Sequence, residues 1–148
     1  MKVTIEEIAR EAEEEIILRC HEIDADTMQL VQKLKQARSG NGMIGYNGEE
    51  IHRLKLDEIY YFEVVDNKSF FYCEEEVYES KWKLYEFEEY SKGSTFFRAS
   101  KSVILNIDKI DFLRPAFSGR FEAVLFNKEK VIVSRQYVGE LKKLIGIR

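Results

Sequence analysis

One proline, two cysteines and two histidines in 148 residues remove whole classes of chemistry before any positive feature is weighed. Cys20 and Cys73 lie far apart, with no CxxC pair and no histidine at ligand spacing, so reduced thiols are expected rather than a zinc site or a disulfide framework. His21 adjoins Cys20, but neighbours along a strand point to opposite faces and cannot make a thiol dyad, and His52 stands alone. The phosphate-cradling GxxxxGKS/T loop is missing, as are GxGxxG, HExxH and GxSxG. Runs such as Glu74-Glu75-Glu76 read as solvated faces. The sequence therefore points to a protein with no catalytic residue, no metal site and no cofactor, and not to an enzyme. No apolar run approaches the roughly 18 to 20 residues that cross a bilayer. The start MKVTIEEIAREAEEE lacks the basic-then-apolar progression of a secretory signal, so a cytoplasmic protein is expected.

What is present is apolar and aromatic material for a core, 45% and 13% of the residues, with 34% charged. That composition suits one globular domain, alone or with a small appendage. The net charge of −4 hides a strong asymmetry. Residues 1–91 hold 22 acidic and 11 basic residues, whereas residues 92–148 hold 5 acidic and 12 basic, a balance of −11 in front and +7 behind. A basic face draws polyanions whatever the global sign.

Along residues 1–42 the apolar spacing predicts two short strands, near residues 3–8 and 16–23, with a helix lengthened by Glu13-Glu14-Glu15 as the alternative because Glu and Ala favour helix, and then a helix over 27–38 with its N-cap at Asp26-Thr27. Ser39-Gly40-Asn41-Gly42 ends that helix and is the best boundary in the chain. We divide the protein there into a small α+β segment, 1–42, and a larger unit, 43–148. Downstream, Asn47-Gly48 between residues 43–46 and 49–54 predicts a hairpin with a type I′ turn. Residues 58–65 and 69–73, joined by Asp66-Asn67-Lys68, predict another. A short helix is expected within 80–90, then strands at 96–97, 103–107, 110–113, 121–126 and 131–133, with Pro115 in a loop. A closing helix is expected over 137–145. The fold class is mostly β with short helices.

The basic residues gather at turns and strand ends: Arg98-Ala99-Ser100-Lys101-Ser102, Ser118-Gly119-Arg120, Asn127-Lys128-Glu129-Lys130 and Ser134-Arg135-Gln136. Loops on a β scaffold are a common platform for ligands, and Arg, Lys, Ser and Asn meet phosphate oxygens and base edges. Two of these clusters carry a motif. Residues 96–110, FFRASKSVILNIDKI, and residues 131–137, VIVSRQY, resemble the LytTR family of bacterial DNA-binding domains, with its F-x-R-x-x-R/K-S-x-x-x-N signature and its closing V-S-R-x-Y. Residues 57–63, DEIYYFE, resemble the family's opening strand, so the likeness covers about 43–146.

The resemblance implies an elongated, antiparallel β fold whose loops enter the DNA major groove, and hence a sequence-specific transcription regulator. It implies base reading by Arg135 and Lys101, with Ser100 standing where many members have histidine. It implies DNA contact from a third loop through Lys68 and Ser69, a phosphate contact from Arg98, and a loop-holding hydrogen bond from Asn106. Arg120 joins these candidates from its basic turn. Residues 1–42 are too few for a phosphorylatable receiver domain, so the resemblance points to a stand-alone regulator of the kind a membrane-embedded inhibitor protein restrains. A segment that small cannot bury much surface alone, so a homodimer on paired half-sites of double-stranded DNA is expected, with no small-molecule substrate. The competing reading is a non-catalytic protein-interaction module that binds a partner through its acidic N-terminal half.

Overall fold

In the computed structural model, which describes residues 1–38 and 43–147, helix α1 (Ala25–Arg38) precedes two hairpins, β1 (Met43–Asn47) with β2 (Glu50–Leu54) and β3 (Tyr61–Val65) with β4 (Lys68–Tyr72). β5 (Val77–Ser80), α2 (Leu84–Tyr90), β6 (Phe96–Arg98) and β7 (Val103–Asn106) follow. A meander of β8 (Ile110–Pro115), β9 (Phe121–Leu125) and β10 (Lys130–Val133) leads into α3 (Arg135–Ile145). All pairs are antiparallel. They form a seven-stranded sheet, β2-β1-β5-β4-β3-β7-β6, and a three-stranded one, β10-β9-β8. The fold is mostly antiparallel β with short helices, as the sequence indicates.

Period-two alternation divides the core between the two faces of the large sheet. On β7, Val103 and Leu105 face the small sheet and α3, where they meet Ala123, Leu125, Val133 and Leu141. Ile104 between them faces the other way, with Phe62, Phe71 and Phe96 around the α2 residue Phe87. β7 is consequently buried along its whole length. Its last residue, Asn106, is 1% exposed and bonded at both side-chain atoms: Oδ1 accepts from Thr95 Oγ1 (2.7 Å) and Asp108 N (3.1 Å), and Nδ2 donates to Ile59 O (3.0 Å). Asn106 thus pins the end of β7 away from the loop that begins the strand, rather than holding that loop directly.

Several details differ from the sequence reading. No strand forms within residues 1–24; Val3, Ile5, Ile16, Ile17 and Ile23 are all exposed there. A two-stranded ribbon with nothing over its apolar face is marginal at best, and no sheet edge or helix among the described residues covers this one. The N-cap of α1 is Asp24, whose Oδ1 accepts from Thr27 N and Oγ1, both at 2.8 Å. These bonds favour the ionised carboxylate and lower its pKa. The boundary placed at residues 39–42 lies outside the described residues.

In the first hairpin Asn47 pairs with Glu50, so Gly48 and Glu49 make the turn and only Gly48 has positive φ, 61°. The two-positive-φ signature falls instead at Asp66 (51°) and Asn67 (64°), where Lys68 is already in β4. β5, absent from the sequence reading, lies between β1 and β4; the neighbouring acidic run masks its short apolar alternation. Pro115 closes β8 rather than sitting in a loop, opposite Phe121 at the sheet's edge, where a missing N–H is tolerated.

Candidate functional site

The loop between β6 and β7 is held from inside. Ala99 N and Ser100 N both donate to Val103 O (2.9 and 3.3 Å), Ser102 N donates to Ser100 Oγ (3.3 Å), and Val64 N of β3 donates to Ser102 O (2.9 Å). With the backbone turned inward, the Lys101 side chain is left exposed. Ser134 N donates to Ala99 O (2.8 Å), which docks the β10–α3 junction against this loop. Arg135 is therefore the first residue of α3, exposed and next to the loop of Lys101, rather than lying in the connection ahead of a helix that begins at 137.

A third turn supports Arg135. In Phe117–Gly119, Ser118 and Gly119 have φ of 63° and 77°. A Cβ on Gly119 would stand 3.0 Å from Arg135 Cδ and 3.2 Å from its Cγ, so the arginine stem lies directly over the glycine. Arg120, exposed, donates from Nε to Phe117 O (3.0 Å). Two open hollows result. One of about 470 Å³ is lined by Ser100, Lys101, Ser102, Ser134, Arg135 and Gln136. Its neighbour of about 310 Å³ shares Ser100, Ser102 and Ser134 and adds Tyr61, Glu63, Arg120 and Lys130 among others.

The structure thus brings Ser100, Lys101, Arg120 and Arg135 together. Lys68, exposed at the tip of the β3–β4 hairpin, lies at the same end, because Glu63 pairs with Val103 and β3 then runs on past the Lys101 loop. Lys68, Lys101, Arg120 and Arg135 make no ion pair among the described residues. Cations elsewhere do: Arg114 with Glu122 (2.8 Å) and Arg98 with Glu88 (3.0 Å).

Two carried-over residues are placed differently. Ser69 is 5% exposed, and its single O–H is within reach of two carbonyls, Trp82 O (2.7 Å) and Ser80 O (3.1 Å), closing the seam between β4 and the chain after β5. Replacing it by alanine should cost about 1 kcal/mol of stability and leave DNA affinity unchanged, as a denaturant midpoint and a duplex titration would show. Arg98 is three-quarters buried at its side chain and aims inward at two loop carbonyls as well as Glu88.

The sequence reading missed Tyr61 and Glu63 as groove-lining residues; their i, i+2 spacing in EIYYFEVV placed them on one face, but not which loops that face meets. Tyr61 donates to Glu129 (2.7 Å) and Tyr72 to Glu63 (3.1 Å), with the two rings stacked 4.1 Å apart. Burial first, then the adjoining carboxylates, raise both phenols, Tyr72 to about 12, so both are neutral donors at physiological pH. Burial likewise pushes the Cys73 thiol up to about 11, which leaves it protonated. Among the described residues no group of three or more His, Cys, Asp or Glu could hold a metal ion, and no helix is long and apolar enough to cross a membrane.

Comparison with known proteins matches residues 49–146 to the LytTr DNA-binding domain family. The sensory transduction protein LytT of Enterococcus faecalis is 30% identical over 105 residues, which cover 70% of this chain and 43% of that protein. The LytT protein of Bacillus anthracis is 32% identical over 99 residues, 67% of this chain and 40% of the relative. The chain accordingly spans less than half the length of these relatives. An HTH-type transcriptional regulator of Staphylococcus aureus, itself uncharacterized, is 23% identical over 147 residues, 99% of both chains. Among solved structures, the LytTr DNA-binding domain of a methyl-accepting/DNA response regulator from Bacillus cereus superposes with a TM-score of 0.68 at 27% identity, covering 73% of this chain and all of that one.

Proposed function

The chain belongs to the LytTr DNA-binding domain family, and from that premise we propose that it is a cytoplasmic transcription regulator that reads double-stranded DNA through the loops gathered at one end of its β scaffold. The reading is carried by one observation: four exposed cations from separate elements, Lys101, Arg120 and Arg135 around the two hollows and Lys68 at the same end of the sheet, make no ion pair among the described residues. Arg135 and Lys101, which both line the larger hollow, enter the major groove and read base edges, where arginine pairs bidentately with guanine. Lys68 and Arg120 neutralise phosphates on the flanks. Ser69 and Asn106 are framework. No bond is made or broken.

Each phosphate neutralised releases condensed counterions, and the logarithm of affinity falls by about 0.9 per phosphate for each decade of salt. Duplex titrations across roughly 50 to 300 mM salt should therefore give a slope of about −2 for each bound copy if Lys68 and Arg120 neutralise one phosphate apiece. A flat response would contradict the reading and favour a protein-binding module instead.

The protein acts as a homodimer on paired half-sites. Supporting this, Val3, Ile5 and Ile23 are 82%, 90% and 74% exposed, an apolar load that a second copy would cover. The same acidic segment is the part a membrane-embedded inhibitor protein would hold. Removing residues 1–42 should leave the DNA-binding part folded and monomeric in sedimentation. Binding to a paired site should weaken through lost avidity, while binding to a single half-site stays the same. Sedimentation of the shortened chain as a dimer would contradict the role given to the segment.

A further inference from the structure

We infer that Glu88 and Arg98 form a clamp that fixes the shape of the Lys101 loop, so that α2, which lies on the opposite face of the sheet from α3, sets the sequence selectivity of a loop it does not belong to. The inference rests on the DNA-reading function proposed above. Arg98 Nε donates to Ser100 O and Nη2 to Lys101 O, both at 2.6 Å, while Nη1 donates to Glu88 Oε2 at 3.0 Å. Three of the guanidinium's five donors, spread over all three nitrogens, are therefore committed inside the protein. The planar fork spans two successive carbonyls, a geometry that a lysine ammonium cannot reproduce. Those carbonyls belong to Ser100 and Lys101, whose side chains line the larger hollow, and their backbone sets where Lys101 points.

Glu88 fixes the fork in turn. It projects from α2, which is anchored by Phe87 in the aromatic cluster with Phe62 (4.7 Å between ring centroids) and Phe96 (5.3 Å). A carboxylate held by a packed helix thus orients an arginine that holds a loop. Arg98 is accordingly a positioning residue, and its charge is largely offset by Glu88 rather than offered to a phosphate.

The two roles separate experimentally. If Arg98 bound a phosphate, removing its charge would weaken all duplexes alike and make the salt slope shallower by about 0.9. If it positions the loop, replacing it by lysine, which keeps the charge, lowers the ratio of selected to scrambled affinity, whereas a phosphate contact would survive that substitution and leave the ratio unchanged. We expect Arg98→Lys to lower that ratio about tenfold, as two charge-assisted bonds to the carbonyls cannot both be kept. Glu88→Ala should lower it roughly two- to fivefold, as for a partly exposed ion pair. Scrambled-duplex affinity should hold or rise in Glu88→Ala, because a negative charge has gone.

In the full-length protein without DNA, the amides of Ser100, Lys101 and Ser102 should exchange hydrogen faster in both variants, while those of β7 stay protected. Unchanged exchange in the two variants would overturn the clamp, and in a protein that does prefer the selected duplex an unchanged affinity ratio in both would overturn its control of selectivity. The exchange readout does not depend on DNA. Faster loop exchange in a protein that shows no sequence preference would therefore refute the function proposed above while upholding the clamp.

Discussion

Replacing Arg135 by alanine is expected to lower affinity for a selected duplex by about 1–3 kcal/mol, roughly 5- to 150-fold, and to relax selectivity at one base position. The size follows from its setting. Arg135 opens α3 with its side chain exposed, its stem lies over Gly119, and no carboxylate competes for the guanidinium among the described residues. A pre-aimed arginine loses little rotamer freedom when it meets a guanine edge. On a scrambled duplex the loss should be no more than that of one phosphate interaction. Equal losses on both duplexes would show that Arg135 touches backbone alone.

The largest effect on stability is expected from Phe62→Ala, about 3–5 kcal/mol as read by the denaturant midpoint. Phe62 is fully buried in β3, in the middle of the aromatic cluster, 5.4 Å from Phe71 and 4.7 Å from Phe87 between ring centroids. β3 pairs with both β4 and β7, and β4 and β7 have other partners, so the cavity would open inside the sheet's centre, where collapse is hardest. Phe62 also seats α2, and the Glu88–Arg98 clamp should loosen with it. A loss under about 1 kcal/mol would mean that the two faces of the sheet do not share the core as described.

The sequence was most legible where local chemistry and strand pattern agree. The aromatic and β-branched runs of the second hairpin and the amphipathic close at residues 137–145 both form, and the motif residues Lys101 and Arg135 do meet across one hollow. It was least legible where the answer depends on a distant partner. Val3, Ile5, Ile16 and Ile17 sit in short apolar runs of the kind that form strands, yet no described strand pairs with them. Asn47-Gly48 is a strong turn dipeptide, but register makes Gly48-Glu49 the turn and leaves the double positive φ to Asp66-Asn67. Arg98 matches a motif position, and the motif cannot say that Glu88 on another element holds its guanidinium. Ser69 likewise looks available until β5 is seen beside it, with the Ser80 and Trp82 carbonyls within reach of its hydroxyl.

Selection from a random pool of duplexes at roughly 150 mM salt, with the intact protein, tests the central claim most directly. Reading of DNA by two copies of this loop cluster predicts enrichment of a motif repeated at a spacing of whole helical turns, about 10–10.5 base pairs or a multiple. Failure of a folded protein to enrich any sequence, or enrichment that survives simultaneous loss of Lys101 and Arg135, would contradict it.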